Sequence, residues 1–211
     1  MNFATVKSIA IPEGKVSRIL IGDKVIWKSS PLPTGYQVIE YIETTKAQYI
    51  DTGFVPDNNS RIVADFVSTG TSTTNDIMGC RTTSSKNGFA LTTISGNWRM
   101  AYNASVSTGV AADNSRHTAD LNRNVLSLDG EVIYTAEETT FTCSYSICLG
   151  ATNTSSPYLG YARFYSCQIY DDDTLVRDLI PCVNDLGEAG MYDKLNKVFY
   201  GNAGEGTFIV G

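Results

Sequence analysis

The stretch Arg163-Phe164-Tyr165-Ser166-Cys167-Gln168-Ile169-Tyr170, followed by Asp171-Asp172-Asp173 and then Leu175-Val176-Arg177-Asp178-Leu179-Ile180-Pro181, sets the fold class. Tyr165, Cys167 and Ile169 alternate with Phe164, Ser166, Gln168 and Tyr170, the period-2 signature of a strand. Three adjacent carboxylates repel one another and favour a solvated turn, so Leu175 to Ile180 reads as the return strand of a hairpin that Pro181 closes. Beyond it, Gly187, Gly190, Gly201, Gly204 and Gly206 separate short apolar pieces at Met191-Tyr192, Val198-Phe199-Tyr200 and Phe208-Ile209-Val210, the pattern of last short strands round the rim of a sheet.

Upstream the same grammar repeats. Arg61 to Val67 sets Ile62, Ala64 and Phe66 against Arg61, Val63, Asp65 and Val67. Tyr36 to Thr44, Gln48 to Phe54, Asp76 to Cys80, Gly88 to Ile94, Trp98 to Tyr102 and Ser146 to Gly150 are further strand candidates bounded by Gly, Asn, Ser or Thr. His117 to Leu121 alternates, Asn122-Arg123-Asn124 turns, Val125 to Leu128 returns, and Asp129-Gly130 makes a tight turn into Glu131 to Tyr134. Many short strands without a long 3.6-period stretch predict an all-β fold, an antiparallel sandwich or barrel.

Composition bounds the rest. A chain of 211 residues suits one large β domain whose folding buries roughly 70% of the extended surface. The net charge of -6 and the lack of a Lys/Arg cluster exclude a phosphate-tracking surface, so no nucleic-acid partner is expected. No apolar run approaches the ~20 residues of a membrane helix, and Met1 to Lys7 lacks the basic-then-apolar pattern of a secretion signal, so neither membrane insertion nor Sec export is expected. The cysteines at 80, 143, 148, 167 and 182 are odd in number, irregular in spacing and read as buried thiols; with no C-x-x-C and one histidine, zinc is rejected.

The chain divides at its prolines. Residues 1 to 30 read as a small β meander, with strands at Val6 to Ile11, Val16 to Ile21 and Lys24 to Lys28 and Trp27 as its anchor. So short a unit is marginal alone and calls for a packing partner. Residues 31 to 35 form a proline-stiffened linker, and 36 to 211 form the main domain.

The chemistry-bearing candidates are few. His117 reads as a structural hydrogen-bonder, since no nucleophile with an orienting partner accompanies it. Asp171-Asp172-Asp173 offers calcium fewer oxygens than the six to eight it takes, so no cofactor is expected, although carbonyls of distant loops leave that ion open. A glycan site needs an aromatic platform with amides or hydroxyls beside it. Asn97-Trp98-Arg99 with Tyr102-Asn103 is the best such cluster, and Asn153 with Tyr158 a second. Trp98 and Tyr102 share strand parity and face one way, which serves a binding face and a core equally.

The order of these pieces resembles the concanavalin A-like lectin/glucanase superfamily in its laminin G-like branch. The residues that carry the likeness are His117-Thr118-Ala119-Asp120, Leu126-Ser127-Leu128-Asp129-Gly130-Glu131-Val132, Ile147-Cys148-Leu149-Gly150 and Gly160-Tyr161-Ala162-Arg163-Phe164-Tyr165. It implies a two-sheet antiparallel jelly roll over residues 36 to 211. The ending, Ile169-Tyr170-Asp171 through Val176-Arg177-Asp178, Ile180-Pro181-Cys182, Tyr192-Asp193 and Phe199-Tyr200-Gly201-Asn202, resembles jelly-roll proteins of prophages and gut-type bacteria. The leader, with Val6-Lys7-Ser8-Ile9, Ile11-Pro12-Glu13-Gly14 and Val25-Ile26-Trp27, resembles leaders of phage tail proteins.

The superfamily's hydrolases carry E-x-D-x-E on one strand, a pattern absent here. The acidic i, i+2 pairs, Asp129/Glu131 and Asp171/Asp173, fall at turns, and Glu40 and Glu43 point to opposite faces. The expectation is a non-enzymatic, tail-associated virion module that assembles in the host cytoplasm, binds a receptor or carbohydrate, and contacts other tail proteins or its own copies. The alternatives are a bacterial cell-surface adhesion domain and, ranked lower, a glycoside hydrolase whose carboxylates converge from different strands.

Overall fold

The computed structural model describes residues 18–21, 24–28, 30–70, 74–83 and 86–211, and among them there is no helix. The chain opens with β1 (Arg18–Ile21) and β2 (Lys24–Lys28), an antiparallel pair. Then come β3 (Tyr36–Val38), β4 (Ile42–Glu43), β5 (Ile50–Asp51), β6 (Arg61–Ser68), β7 (Thr74–Arg81), β8 (Gly88–Ile94), β9 (Asn97–Ala111), β10 (Arg116–Asn122) and β11 (Val125–Leu128). The remainder are β12 (Glu131–Thr135), β13 (Cys148–Leu149), β14 (Ala151–Asn153), β15 (Tyr158–Leu159), β16 (Ala162–Asp171), β17 (Thr174–Asn184), β18 (Ala189–Asp193), β19 (Val198–Tyr200) and β20 (Ile209–Val210). Of the expected leader strands the second and third pair as β1 and β2; the first, Val6 to Ile11, and the side chain of Trp27 lie outside the description.

The other strands form a jelly-roll sandwich of two antiparallel sheets. One sheet has eleven strands, running β12-β11-β10-β6-β16-β17-β18-β19 with β3, β4 and β20 added at one end. The other has seven, β15-β14-β7-β13-β5 with β8 and β9 beyond β7. Among the described strands only β14 runs parallel to its neighbour, β7. Between the sheets lies one core, to which β6 gives Ile62, Ala64 and Phe66, β10 gives Ala119 and Leu121, β8 gives Phe89 and Leu91, and β9 gives Trp98, Met100 and Tyr102. Leu32, from the proline-bearing stretch, is buried in a satellite cluster with Cys182 and Tyr192.

Turn chemistry fixes register as the sequence implies. Asp172 and Asp173 both take positive φ (45° and 65°) between β16 and β17, and Asp129-Gly130 does so between β11 and β12 (52° and 86°), the mirror-image turns that match strand twist. Two details depart from simple alternation. Phe164 pairs with Phe66 and Ser166 with Asp65, so Tyr165 is an extra, bulged residue. The bulge shifts the phase: Phe164 enters the core with Cys167 and Ile169, and Tyr165 turns outward. Pro181 does not end a strand either, since β17 continues to Asn184. Pro181 sits where one flank of β17 passes from β16, whose ladder ends at Leu179, to β3, whose ladder begins at Cys182, a gap where a missing N–H is tolerated.

Two buried polar side chains, Asn75 and Asp193, are satisfied within the fold. Asn75 joins the two sheets: its amide donates to Ser68 Oγ (3.0 Å) and Tyr161 O (2.8 Å), and its Oδ1 accepts from Tyr161 N (2.7 Å). The Asp193 carboxylate, with no exposed surface, holds the β18–β19 turn. Its Oδ1 accepts from the amides of Asp178 (3.1 Å), Leu195 (2.9 Å) and Asn196 (3.2 Å), its Oδ2 from the Asn196 side chain (2.7 Å), with Arg177 Nε at 3.8 Å. Burial works to raise this carboxyl, but the donors prevail and hold it below its ordinary value. Asp193→Ala strands several of these donors and should lower stability by about 2–4 kcal/mol in urea unfolding; a loss within experimental error would show the turn holds without it.

Candidate functional site

The outer face of the seven-stranded sheet follows from the parity of β9. Trp98 and Tyr102 point inward and are 1% and 6% exposed, so neither ring offers a face to a ligand. The expectation that they form a sugar platform is corrected: they are core. Trp98 meets Phe66 edge-on with centroids 5.9 Å apart, and the Tyr102 hydroxyl lies between Asn58 O (3.1 Å) and Thr139 O (3.2 Å). Arg99, Ala101 and Asn103 have the opposite parity and belong to the outer face, although Ala101 is itself only 4% exposed. Arg99 stands in a cross-strand row with Thr92 and Asp76, Ala101 with Ala90 and Gly79, and Asn103 with Gly88 and Arg81. Asn103, at φ 61°, ends this half of the strand and accepts from Asn87 N (3.0 Å); Asn97, at the other end, donates to Ser95 O (3.3 Å).

Of the second candidate pair, Tyr158 lies on this same outer face, whereas Asn153 registers with the core residue Cys80 and has the opposite parity. Thr152 registers with Gly79 and Tyr158 with Thr152, which extends the sheet to Tyr158 at its edge. Tyr158 is 52% exposed, the only tyrosine among the exposed large apolar residues described, and the Arg81 guanidinium lies 4.5 Å from its ring centroid. Asn153 donates to Ser146 O (3.0 Å) and Ser146 Oγ (3.2 Å), and Ser146 Oγ in turn donates to Asp51. Tyr49 completes the edge; burial, then Cys148 and Asp51, push its phenol up. The loop carrying Tyr158 is clasped at its base, where Gly160 N donates to Gly150 O (2.9 Å). A Cβ on Gly160 would collide with the backbone oxygen of Asp76, so only glycine lets the loop sit against β7.

Asp76 is the titratable centre of the face. Burial pushes its carboxyl up, while the Thr152 hydroxyl and the charges of Arg81, Arg99 and Lys46 act in the opposite sense. Thr152 is near enough to favour the ionised form, yet its buried hydroxyl makes no well-aligned hydrogen bond. Lys46, Thr74, Asp76, Pro157, Tyr158 and Leu159 line a cleft of about 460 Å³ here, and Lys46 also lines a second cleft of about 390 Å³ across Pro157, shared with Tyr49 and Glu205. A larger cleft, about 830 Å³, lies elsewhere between β17 and the C-terminal strand. It is lined mainly by glycine and apolar groups, and its one ionisable side chain, Glu188, is already bound by Asn184 Nδ2 (2.8 Å).

Asp76, Arg81, Lys46 and Tyr49 escape sequence reasoning, because they come from two separate segments, β7 and the β4–β5 connection, and share no motif. Arg99 stands inside the quoted Asn97-Trp98-Arg99 cluster, and parity alone would have set it opposite Trp98. The acidic i, i+2 pairs lie away from this face, on the hairpin turns of the eleven-stranded sheet, with Asp129 on His117 (2.7 Å) and Asp173 on Arg123 (2.9 Å). Among the described residues no cluster of His, Cys, Asp and Glu is arranged to hold a metal ion. No protein-family model matches the chain, and no curated protein matches it either. Fold and face therefore define the class by themselves: an all-β jelly-roll sandwich with a polar, tyrosine-edged outer sheet.

His117 sits behind Trp98, ring to ring at 5.6 Å and 88°, with Nδ1 on Asp129 (2.7 Å) and Nε2 on Asp113 (2.9 Å). Burial opposes its charge, but the two carboxylates outweigh burial and raise it above 6.5. Both carboxyls are correspondingly lowered, first by the backbone amides of Ser115 and Thr118 and then by the imidazolium. The histidine's contribution is thus complete below about pH 6.5 and fades as pH rises through its folded value, whereas that of the carboxylates fades as pH falls through theirs.

Two measurements test this packing. Thermal unfolding of His117→Gln against the parent should show a stability gap that is widest near pH 6 and narrows by pH 8.5; a gap independent of pH in that range would contradict the clamp. Trp98→Ala should cost about 3–5 kcal/mol of stability, and a variant as stable as the parent would return Trp98 to the surface.

Proposed function

We propose that the chain is a non-enzymatic binding module that holds carbohydrate on the outer face of the seven-stranded sheet, as a tail-associated part of a phage or prophage virion. The observation that carries the binding half is Tyr158: a half-exposed ring, braced by Arg81 and bordered by the Asp76 carboxylate and a cleft of about 460 Å³. Sugar C–H faces stack on such a ring while hydroxyls take hydrogen bonds from groups around it. The virion half is supported by the likeness of the leader and of residues 169 to 202 to tail and prophage proteins, and by a two-stranded unit ahead of the sandwich that suits attachment. The concanavalin A-like, laminin G-like reading of the sandwich supports the same assignment, since that fold presents broad sheet faces to ligands. Partners are a cell-surface glycan, neighbouring tail proteins and further copies of the chain.

The experiment is a glycan array on the purified chain, followed by titration of the best binder with the parent, Tyr158→Ala and Asn97→Ala. Loss of one stacking ring should weaken binding about tenfold, with Asn97→Ala near the parent. Binding that survives Tyr158→Ala unchanged would move the site off this face, and an array without any saturable binder would end the carbohydrate reading.

A further inference from the structure

The two faces of the sandwich treat their arginines differently. From residue 61 onward, Arg61, Arg116, Arg123, Arg163 and Arg177 each have a carboxylate partner, and all of them project from the eleven-stranded sheet or its turns. Among the described residues Arg81 and Arg99 have none, and they are the arginines on the seven-stranded sheet. Together with Lys46, which has no ion pair among the described residues either, they act on the Asp76 carboxylate. Three cations thus share one half-buried carboxylate, in a protein whose net charge is -6. The other carboxylate of the face, Asp51, is engaged by Ser146 Oγ and Gly53 N (2.9 Å), and Glu205 lines the cleft beyond Pro157.

An excess of positive charge held beside an exposed ring selects its ligand. The Arg81 guanidinium lies over Tyr158, and among the described residues no hydrogen bond or salt bridge engages its N–H donors, which suit a carboxylate. The row between Asp76-Thr92-Arg99 and Arg81-Gly88-Asn103 is Gly79-Ala90-Ala101, in which nothing reaches beyond Cβ. The overall negative charge repels long polyanions, so the fitting ligand is small and carries its charge on a ring.

We infer that this face takes an acidic sugar, a pyranose bearing a carboxylate such as a sialic or uronic acid, with Lys46, Arg81 and Arg99 receiving the charge and Tyr158 the ring. The inference rests on the carbohydrate reading above and narrows it to one chemical class. Calorimetric titration of the full chain with sialyllactose, trigalacturonate and lactose tests it, alongside Arg99→Gln, Lys46→Gln and inorganic sulfate as a competitor. At least one acidic sugar should bind about tenfold more tightly than lactose, weaken as salt rises, and lose about tenfold in Arg99→Gln, while any lactose binding stays the same. Unchanged melting temperatures identify the variants as folded.

Equal binding of acidic and neutral sugars, both lost in Tyr158→Ala, would overturn the inference and leave the carbohydrate reading standing. Sulfate that displaces the sugar at equal concentration would reduce the cluster to a simple anion site. Absence of binding to all three sugars, with an empty glycan array, would remove both readings.

Discussion

Everything outside the core takes its place from the edge-on contact of Trp98 with Phe66 and His117. Trp98 belongs to the seven-stranded sheet and the other two rings to the eleven-stranded one, so the contact fixes the spacing and register of the sheets at one point. It also sets the parity of β9. With Trp98 inside, Met100 and Tyr102 follow, and Asn97, Arg99 and Asn103 are committed to the outer face. The polar side of the contact is held as firmly as the apolar one: His117 sits against an indole because both ring nitrogens have carboxylates, one from the segment after β9 and one from the β11–β12 turn. One packing event thus locates two surface turns and a sheet face.

The sandwich then divides its labour between faces. On the eleven-stranded sheet arginines are neutralised and laid on rings, Arg61 over Tyr170, Arg116 over Tyr165 and Arg163 over Tyr41, with each guanidinium also on a carboxylate. A surface so satisfied within itself has few donors left for another molecule, and exposed pairs of this kind add little stability. On the seven-stranded sheet Arg81 lies on Tyr158, but neither it nor Arg99 has a carboxylate in salt-bridge contact among the described residues. The contrast separates a scaffold face from a face with chemistry to offer.

Much of this architecture is legible in the residues, and the remainder fails for identifiable reasons. The Asp129-Gly130 and Asp172-Asp173 turns are local, since positive φ at two successive positions selects a few residue types, and the strands on either side follow from alternation. The bulge at Tyr165 is not local: it exists to bring Phe164 over Phe66, and nothing within residues 163 to 170 announces it. Pro181 misleads because its tolerance depends on which neighbour β17 has at that point. Trp98 and Tyr102 are ambiguous by nature, as one parity describes both a core and a platform until the opposing sheet is known. The Asp76 cluster comes from β7, β9 and two loops, and only the folded sheet gathers it.

The clasp between Gly150 and Gly160 gives the loop between them an independence that the rest of the face lacks. Its base is closed by a backbone hydrogen bond and pressed on β7 through a glycine, while Asn75 fixes the following strand through Tyr161, so both ends are determined without reference to the tip. Residues 154 to 157 can therefore lengthen, shorten or change composition at little cost to the sheets, because loop closure depends only weakly on length once the ends are held. The protein has the makings of an interchangeable cartridge: a constant frame that carries the cations and the Tyr158 ring, and a replaceable tip beside them.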